Sequence, residues 1–306
     1  MSAHLLHLSQ FIPREFSRRS RSLSEIDRWK ATEFRLFLLY LSPVVLASAL
    51  TENHYKHFLL LFTGCTLLSK SSLCNKINIA YAENLLRLFV QGVAELYGKE
   101  ELVYNIHGLL HIAADAERFG TLENFSSFPF ENKLKSIKKL VRKPQLPLQQ
   151  VVRRLLEQER TGSRIVDPNS SSDVKPQLLR EHWRGPLPAE CVGAKQFSQI
   201  LLSNMFLASN KRDSCVILAD GPIAVINNIL LKDDDIIIVY KTFGISDSLF
   251  DYPLQSKSLG IFKVSNLGDT LHCAKLSSIV QKCLLLPCDD MTDNRSCSHA
   301  VLPLLH

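Results

Sequence analysis

Apolar positions recur every three or four residues through the first half of the chain and bunch into short runs through the second. Ser22, with Glu25 three residues on, forms a capping box. A helix is expected from there, carrying Ile26, Trp29, Phe34 and Phe37 toward Leu41 and ending before Pro43. Val44–Leu50 and Tyr55–Leu68 read as further buried helices. After a polar break at Ser69–Asn78, the stripe Leu85, Phe89, Gly92, Val93 and Leu96 predicts a helix over Tyr81–Tyr97, capped by Gly98.

Three more helices are expected between Tyr104 and Arg160. The first runs its apolar face through Val103, Ile106, Leu110 and Ala114, which places His107 in the stripe and His111 at its edge. The second starts near Phe130 and Glu131 and buries Phe130, Leu134, Ile137 and Val141; Pro144 and Pro147 stop it. The third carries Leu148, Val151, Val152, Leu155 and Leu156, with Arg153 and Arg154 on its open side.

Beyond a Ser-, Pro- and Gly-rich stretch the period changes. Short β-prone runs occupy Gln196–Leu202, Cys215–Leu218, Ile223–Leu231, Ile236–Tyr240, Leu259–Val264, Leu271–Leu276, Val280–Leu286 and Ala300–Leu305, and Asp220-Gly221 and Lys232–Asp235 are turn signals. The pattern predicts an α+β chain: a mostly helical region over 1–165, a linker over 166–190 and a small antiparallel SH3-like β-barrel over 191–306.

Charge changes this picture at one place. Lys133, Lys135, Lys138, Lys139, Arg142, Lys143, Arg153, Arg154 and Arg160 stand against Glu157 and Glu159, a local balance of +7 where the whole 306-residue chain carries +6. A single helical hairpin therefore holds the positive charge, as a phosphate-backbone contact would require. Few aromatics interleave with it, which disfavours stacking on single strands. Arg14–Arg21 (REFSRRSR) is a second, shorter basic run, expected to be a solvated tail unless it serves nuclear import or a nucleic-acid contact.

Eight cysteines lie scattered without a CxxC pair, and no unbroken apolar leader opens the chain, so a reduced intracellular setting is expected. The apolar runs Leu36–Leu50 and Phe58–Leu68 are shorter than the roughly 20 residues that span a bilayer, and no membrane partner is expected. His107 and His111 have the i, i+4 spacing that lets two imidazoles share a metal, but Gly108 stands where a zincin needs Glu; core histidines are the expectation. Cys283, Cys288, Cys297 and His299 lack the tight spacing of a zinc site, and Asp233-Asp234-Asp235 lacks that of a calcium loop.

Several separated blocks carry a family resemblance. NIHGLLHIAADAERFGTLENFSSFPFENKLKSIKKLVRK and then PLQQVVRRLLE, with PREFSRRSRSLSEIDRWKATEFRLFLLYLSPVVL upstream and VLPLLH at the end, resemble the C-terminal part of CACTA (En/Spm)-type transposases. They also resemble the transposase-derived proteins of animal genomes, and the likeness covers nearly the whole chain. It implies that the helical region is the helical insertion and closing helices of an RNase H-like nuclease domain. Such enzymes join DNA strands with three carboxylates on two divalent ions. Glu131, in FPFEN at a helix start, is the position that matches the third acid and would be a metal ligand, with Asp115 and Glu33 next in line and His107 and His111 near the site. An acid in a first turn equally serves the helix dipole, and Glu33, flanked by Lys30 and Arg35, reads as an exposed helix face. The two aspartates that precede the third acid in the family have no room in this chain.

The expectation is a transposon-derived nuclear protein that is not a complete enzyme alone. It binds DNA non-specifically through Lys135, Lys138, Lys139, Arg142, Lys143, Arg153 and Arg154 and needs no cofactor by itself. Two alternatives stay open. One is a transposase or nuclease subunit, with Mg2+ or Mn2+ held once a partner chain supplies the missing acids. The other is a protein-interaction module whose barrel binds a peptide while the hairpin contacts an acidic protein.

Overall fold

The computed structural model describes residues 1–160, 176–203, 205–288 and 298–305, without the side chains of Asn132 and Lys135. Among them the chain is α+β, a helical first part followed by an antiparallel sheet. The helices are α1 (Ser2–Leu8), α2 (Ala31–Leu36), α3 (Ser42–Val45), α4 (Glu52–Ser69), α5 (Lys76–Leu96), α6 (Tyr104–Gly108), α7 (Ile112–Phe119), α8 (Phe128–Lys138) and α9 (Pro147–Arg160). The strands are β1 (Gln177–His182), β2 (Lys195–Leu201), β3 (Phe206–Ala208), β4 (Cys215–Leu218) and β5 (Ile223–Lys232), then β6 (Asp235–Ser248), β7 (Phe262–Leu267), β8 (His272–Lys275), β9 (Ile279–Pro287) and β10 (His299–Pro303).

The helix expected from Ser22 to Leu41 is broken. Ser22 does cap, accepting from the Ser24 N–H, but only a 3-10 turn over Leu23–Arg28 follows. The backbone extends at Trp29 and Lys30, and α2 starts at Ala31. Pro43 does not end the segment either, because a π turn over Phe37–Leu41 leads straight into α3. The wider turn loosens the ladder just where a proline would clash with it. The long helices follow their patterns. Asn75 caps α5 by accepting from the Asn78 N–H, and Gly98 leaves it with φ +109°, open to glycine at little cost. At Gly92 the missing side chain makes room for His57; a Cβ there would lie 2.7 Å from its Cδ2. The His57 Nε2 stands 2.8 Å from the Phe89 carbonyl.

The strand ladders run β1-β2-β5-β4-β9-β10-β7-β6-β8, with β3 on β2. A further pairing of β5 with β6 closes the circuit. The β5–β6 hairpin turns on Asp233 and Asp234, both at positive φ, as a two-residue turn requires. β1 occupies Gln177–His182, inside the stretch expected to be a linker, and pairs with β2.

One core crosses from helices to sheet. Leu5, Leu41, Phe62 and Leu68 share it with Leu284, Leu286, Ala300 and Leu302 of β9 and β10, so it spans the expected 165/191 boundary. Polar ties reinforce it. The Tyr40 hydroxyl accepts from the Leu305 N–H at 3.0 Å, and burial pushes that phenol up to about 12. Lys282 on β9 is only 3% exposed. Its ammonium donates to Glu15 Oε1 (2.9 Å) and Oε2 (2.8 Å), to Asp213 Oδ1 (2.6 Å) and to the Phe206 carbonyl (2.5 Å). The carboxylates accept in turn from the Phe206 and Arg14 N–H groups.

Replacing Lys282 with Met removes the cation and leaves the buried Asp213 and the partly buried Glu15 carboxylates without it. Urea unfolding of Lys282→Met is expected to show a loss of about 3–5 kcal/mol, and a loss below about 1 kcal/mol would rule out this anchoring role.

Candidate nucleic-acid interface

The basic helices α8 and α9 form an arm. Its turn is set by Gln150, whose Oε1 accepts from the N–H groups of Arg142 (3.0 Å) and Lys143 (3.2 Å) while its Nε2 donates to the Lys143 carbonyl (2.9 Å). Lys138, Lys139, Arg142, Lys143 and Arg153 are exposed, and Arg154 is half-buried. Lys135 lies in α8, and its side chain is outside the described residues. Arg153 shares its charge with Glu157 at 3.1 Å across one helical turn, an exposed pair that holds it weakly.

The expected burial of the arm's apolar stripes is corrected. Phe130 is 70% exposed, Leu134 66% and Leu148 74%; Val152 and Leu156 are exposed as well. Ile137, Val141, Val151 and Leu155 are half-covered. No described layer lies over these two helices, so their apolar positions find little to pack against. α9 contains no buried residue. The tie to the body is thin: Arg35 stacks its guanidinium 5.9 Å from the Phe128 ring at the start of α8.

The histidine expectation is also corrected. His107 and His111 are both exposed, with their Nε2 atoms 3.4 Å apart. α6 stops at Gly108 and α7 restarts at Ile112, and this break rotates the stripe. Ala113 and Ala116 become the buried positions, while Val103 and Ala114 face out. The two rings sit edge to face, 5.2 Å between centroids.

The acids do not converge. Glu131 is exposed in the first turn of α8 and Asp115 is half-buried on α7. Glu33 is not an exposed helix face: it is 3% exposed, and Arg21 donates to Oε1 at 2.7 Å and Oε2 at 3.0 Å. Burial alone would push its carboxyl up. The Arg21 hydrogen bonds, the Lys30 N–H and the charges of Arg21 and Arg18 together hold it below its ordinary value. Among the described residues no three His, Cys, Asp or Glu side chains are placed to hold a metal ion. The described residues do not fit a two-ion site.

The shorter basic run is not simply a solvated tail. Arg14 stacks over Phe206 at 4.7 Å and Arg21 clamps Glu33, which leaves Arg18 and Arg19 exposed. Cys283 is buried beside Cys215, and burial first, then that neighbouring thiol, pushes it well above a thiol's ordinary value. Cys297 of the dismissed zinc cluster lies outside the described residues. No described helix is long and apolar enough to cross a membrane. The arm's exposure was beyond sequence reasoning; the nearest signal was the weak, Gln- and Pro-rich turn at 144–150.

Two outcomes follow from this geometry. Leu148→Ala should change the denaturation midpoint by an amount equivalent to less than about 0.5 kcal/mol, against the 2–5 kcal/mol typical of a core leucine. Glu33 has a depressed folded pKa, so its stabilisation is present above the unfolded value of about 4.3 and disappears as pH falls through the folded one. Glu33→Gln should therefore unfold more readily at pH 7 and lose part of the acid sensitivity below about pH 5; parallel pH profiles for the two proteins would contradict this.

Residues 181–304, comprising the sheet from the end of β1 to β10, match the family model described as a domain of unknown function (DUF8592). That stretch is less than half of the chain and excludes the arm. No curated protein and no solved structure matches the chain.

Proposed function

We propose that this is a transposon-derived DNA-binding protein of the nucleus, gripping the phosphate backbone through the α8–α9 arm. The observation that carries the reading is the cluster of Lys138, Lys139, Arg142 and Lys143, exposed together on a thinly tethered arm. Mobile, hydrated ammonium and guanidinium groups release counterions from a duplex on contact, and they position without reading bases. In this reading the helical part descends from an RNase H-like domain, and the closed circuit of ladders is a small barrel of the SH3-like kind. Glu131 would join a divalent-ion site only beside acids from another chain.

A second reading draws on Phe130, Leu134 and Leu148, which stand exposed beside the same charges. An acidic protein with an apolar surface would satisfy both features. The two readings separate in a salt series on a random duplex. Engagement of five phosphates gives a log-log slope of about −4.5. Lys138→Ala/Lys139→Ala/Arg142→Ala together should roughly halve it. No measurable duplex affinity at about 50 mM salt would sink the DNA reading and leave the protein partner.

A further inference from the structure

A cavity of about 840 Å3 opens where the turn after α1 meets the sheet. It is within the roughly 300–1,000 Å3 of small-molecule sites. Phe11 lines it from the helical side, Phe243 of β6 and His299 of β10 from the sheet, and Lys211 and Ser214 from the loop between β3 and β4. The family match at 181–304 includes these residues except Phe11, so the helical part completes the pocket.

Three features define what it would take. Lys211 is the one ionic group among the lining residues, and no carboxylate accompanies it. Its ammonium lies 5.8 Å from the Phe11 ring centre, and among the described residues no acid pairs with it. The site therefore favours an anion and opposes a cation. Phe11 and Phe243 offer aromatic faces from two different layers, suited to a flat ring. The third feature is a β-bulge, where the β5–β6 register shifts between Ile226 and Asn228. It turns the intervening Asn227 toward the cavity, and the Asn227 Oδ1 is buried without a hydrogen-bond partner. Rotation of that amide into the cavity would let it accept from a ligand N–H and relieve the unmet acceptor.

We propose that this cavity binds a nucleotide: a planar base with N–H donors held by Asn227 between the aromatic rings, and a phosphate against Lys211. Plain phosphate has no ring for Phe11 and Phe243 and no N–H donor for Asn227. A quaternary ammonium would meet Lys211. The chemistry is shared by a free mononucleotide and the terminal nucleotide of a strand. The inference is independent of the basic arm.

Calorimetric titration of the full chain with AMP, adenosine and inorganic phosphate tests it. AMP should bind at least about tenfold more tightly than either of the others. Lys211→Gln, an exposed change that leaves the fold intact by circular dichroism, should cost AMP about tenfold and leave adenosine unchanged. Asn227→Leu should weaken both. A 5′-phosphorylated single-stranded oligonucleotide that displaces AMP assigns the strand end as the source; failure to displace it assigns the free nucleotide. The Lys138→Ala/Lys139→Ala/Arg142→Ala protein should bind AMP normally, so loss of duplex binding alone leaves this site standing. Absence of AMP heat up to roughly 10 mM, phosphate binding as tight as AMP, or an AMP affinity indifferent to Lys211→Gln would overturn the proposal.

Discussion

The buried ammonium of Lys282 is the point on which the two parts of this chain turn. It sits on β9 and meets Glu15 from the segment after α1 and Asp213 from the loop before β4. A charge taken out of water is tolerated only when its counter-charges and hydrogen bonds are complete. Here the completing groups come from two places far apart in sequence, Glu15 and the Phe206–Asp213 stretch, so the N-terminal segment cannot leave the sheet without exposing an unpaired charge in a dry interior. Hydrophobic residues of similar volume would hold the layers together as well. The shared core, with Phe62 and Leu68 on one side and Leu284 and Leu302 on the other, supplies the bulk of the attraction. Lys282, with the Tyr40–Leu305 hydrogen bond, supplies the alignment.

That alignment also builds the cavity, because Phe11 reaches it only when the first turn is docked on the sheet. The arm follows the opposite logic. α9 has no buried residue, so much of the apolar surface of the two helices stays wet and most of their basic side chains stay exposed. Regions with few buried contacts open cheaply and are where partners are accommodated.

The sequence and the structure agree where information is local. β4 falls on Cys215–Leu218, the β5–β6 hairpin turns at Asp233 and Asp234, and Gly98 follows the end of α5, all as pattern and turn chemistry predict. They part where a neighbour decides. Phe130, Leu134 and Leu148 have the spacing of buried residues and are exposed; Glu33 has the flanks of a surface acid and is buried. His107 and His111 leave the core because the three residues between α6 and α7 change the helical phase. The pocket drew no signal at all, since Phe11 and Phe243 stand 232 positions apart and are joined only by folding.

Periodicity and turn chemistry along the chain thus determined most of the helices and strands, though not the break after Ser22, β1 or the helical phase at α6–α7. Backbone hydrogen bonding and side-chain alternation act within a few residues, so the linear code can carry them. Whether an apolar side is covered, which acid meets which base, and what encloses a cavity were decided by tertiary structure alone. Those outcomes depend on which second surface arrives, and burial free energy belongs to the pair of surfaces rather than to either one.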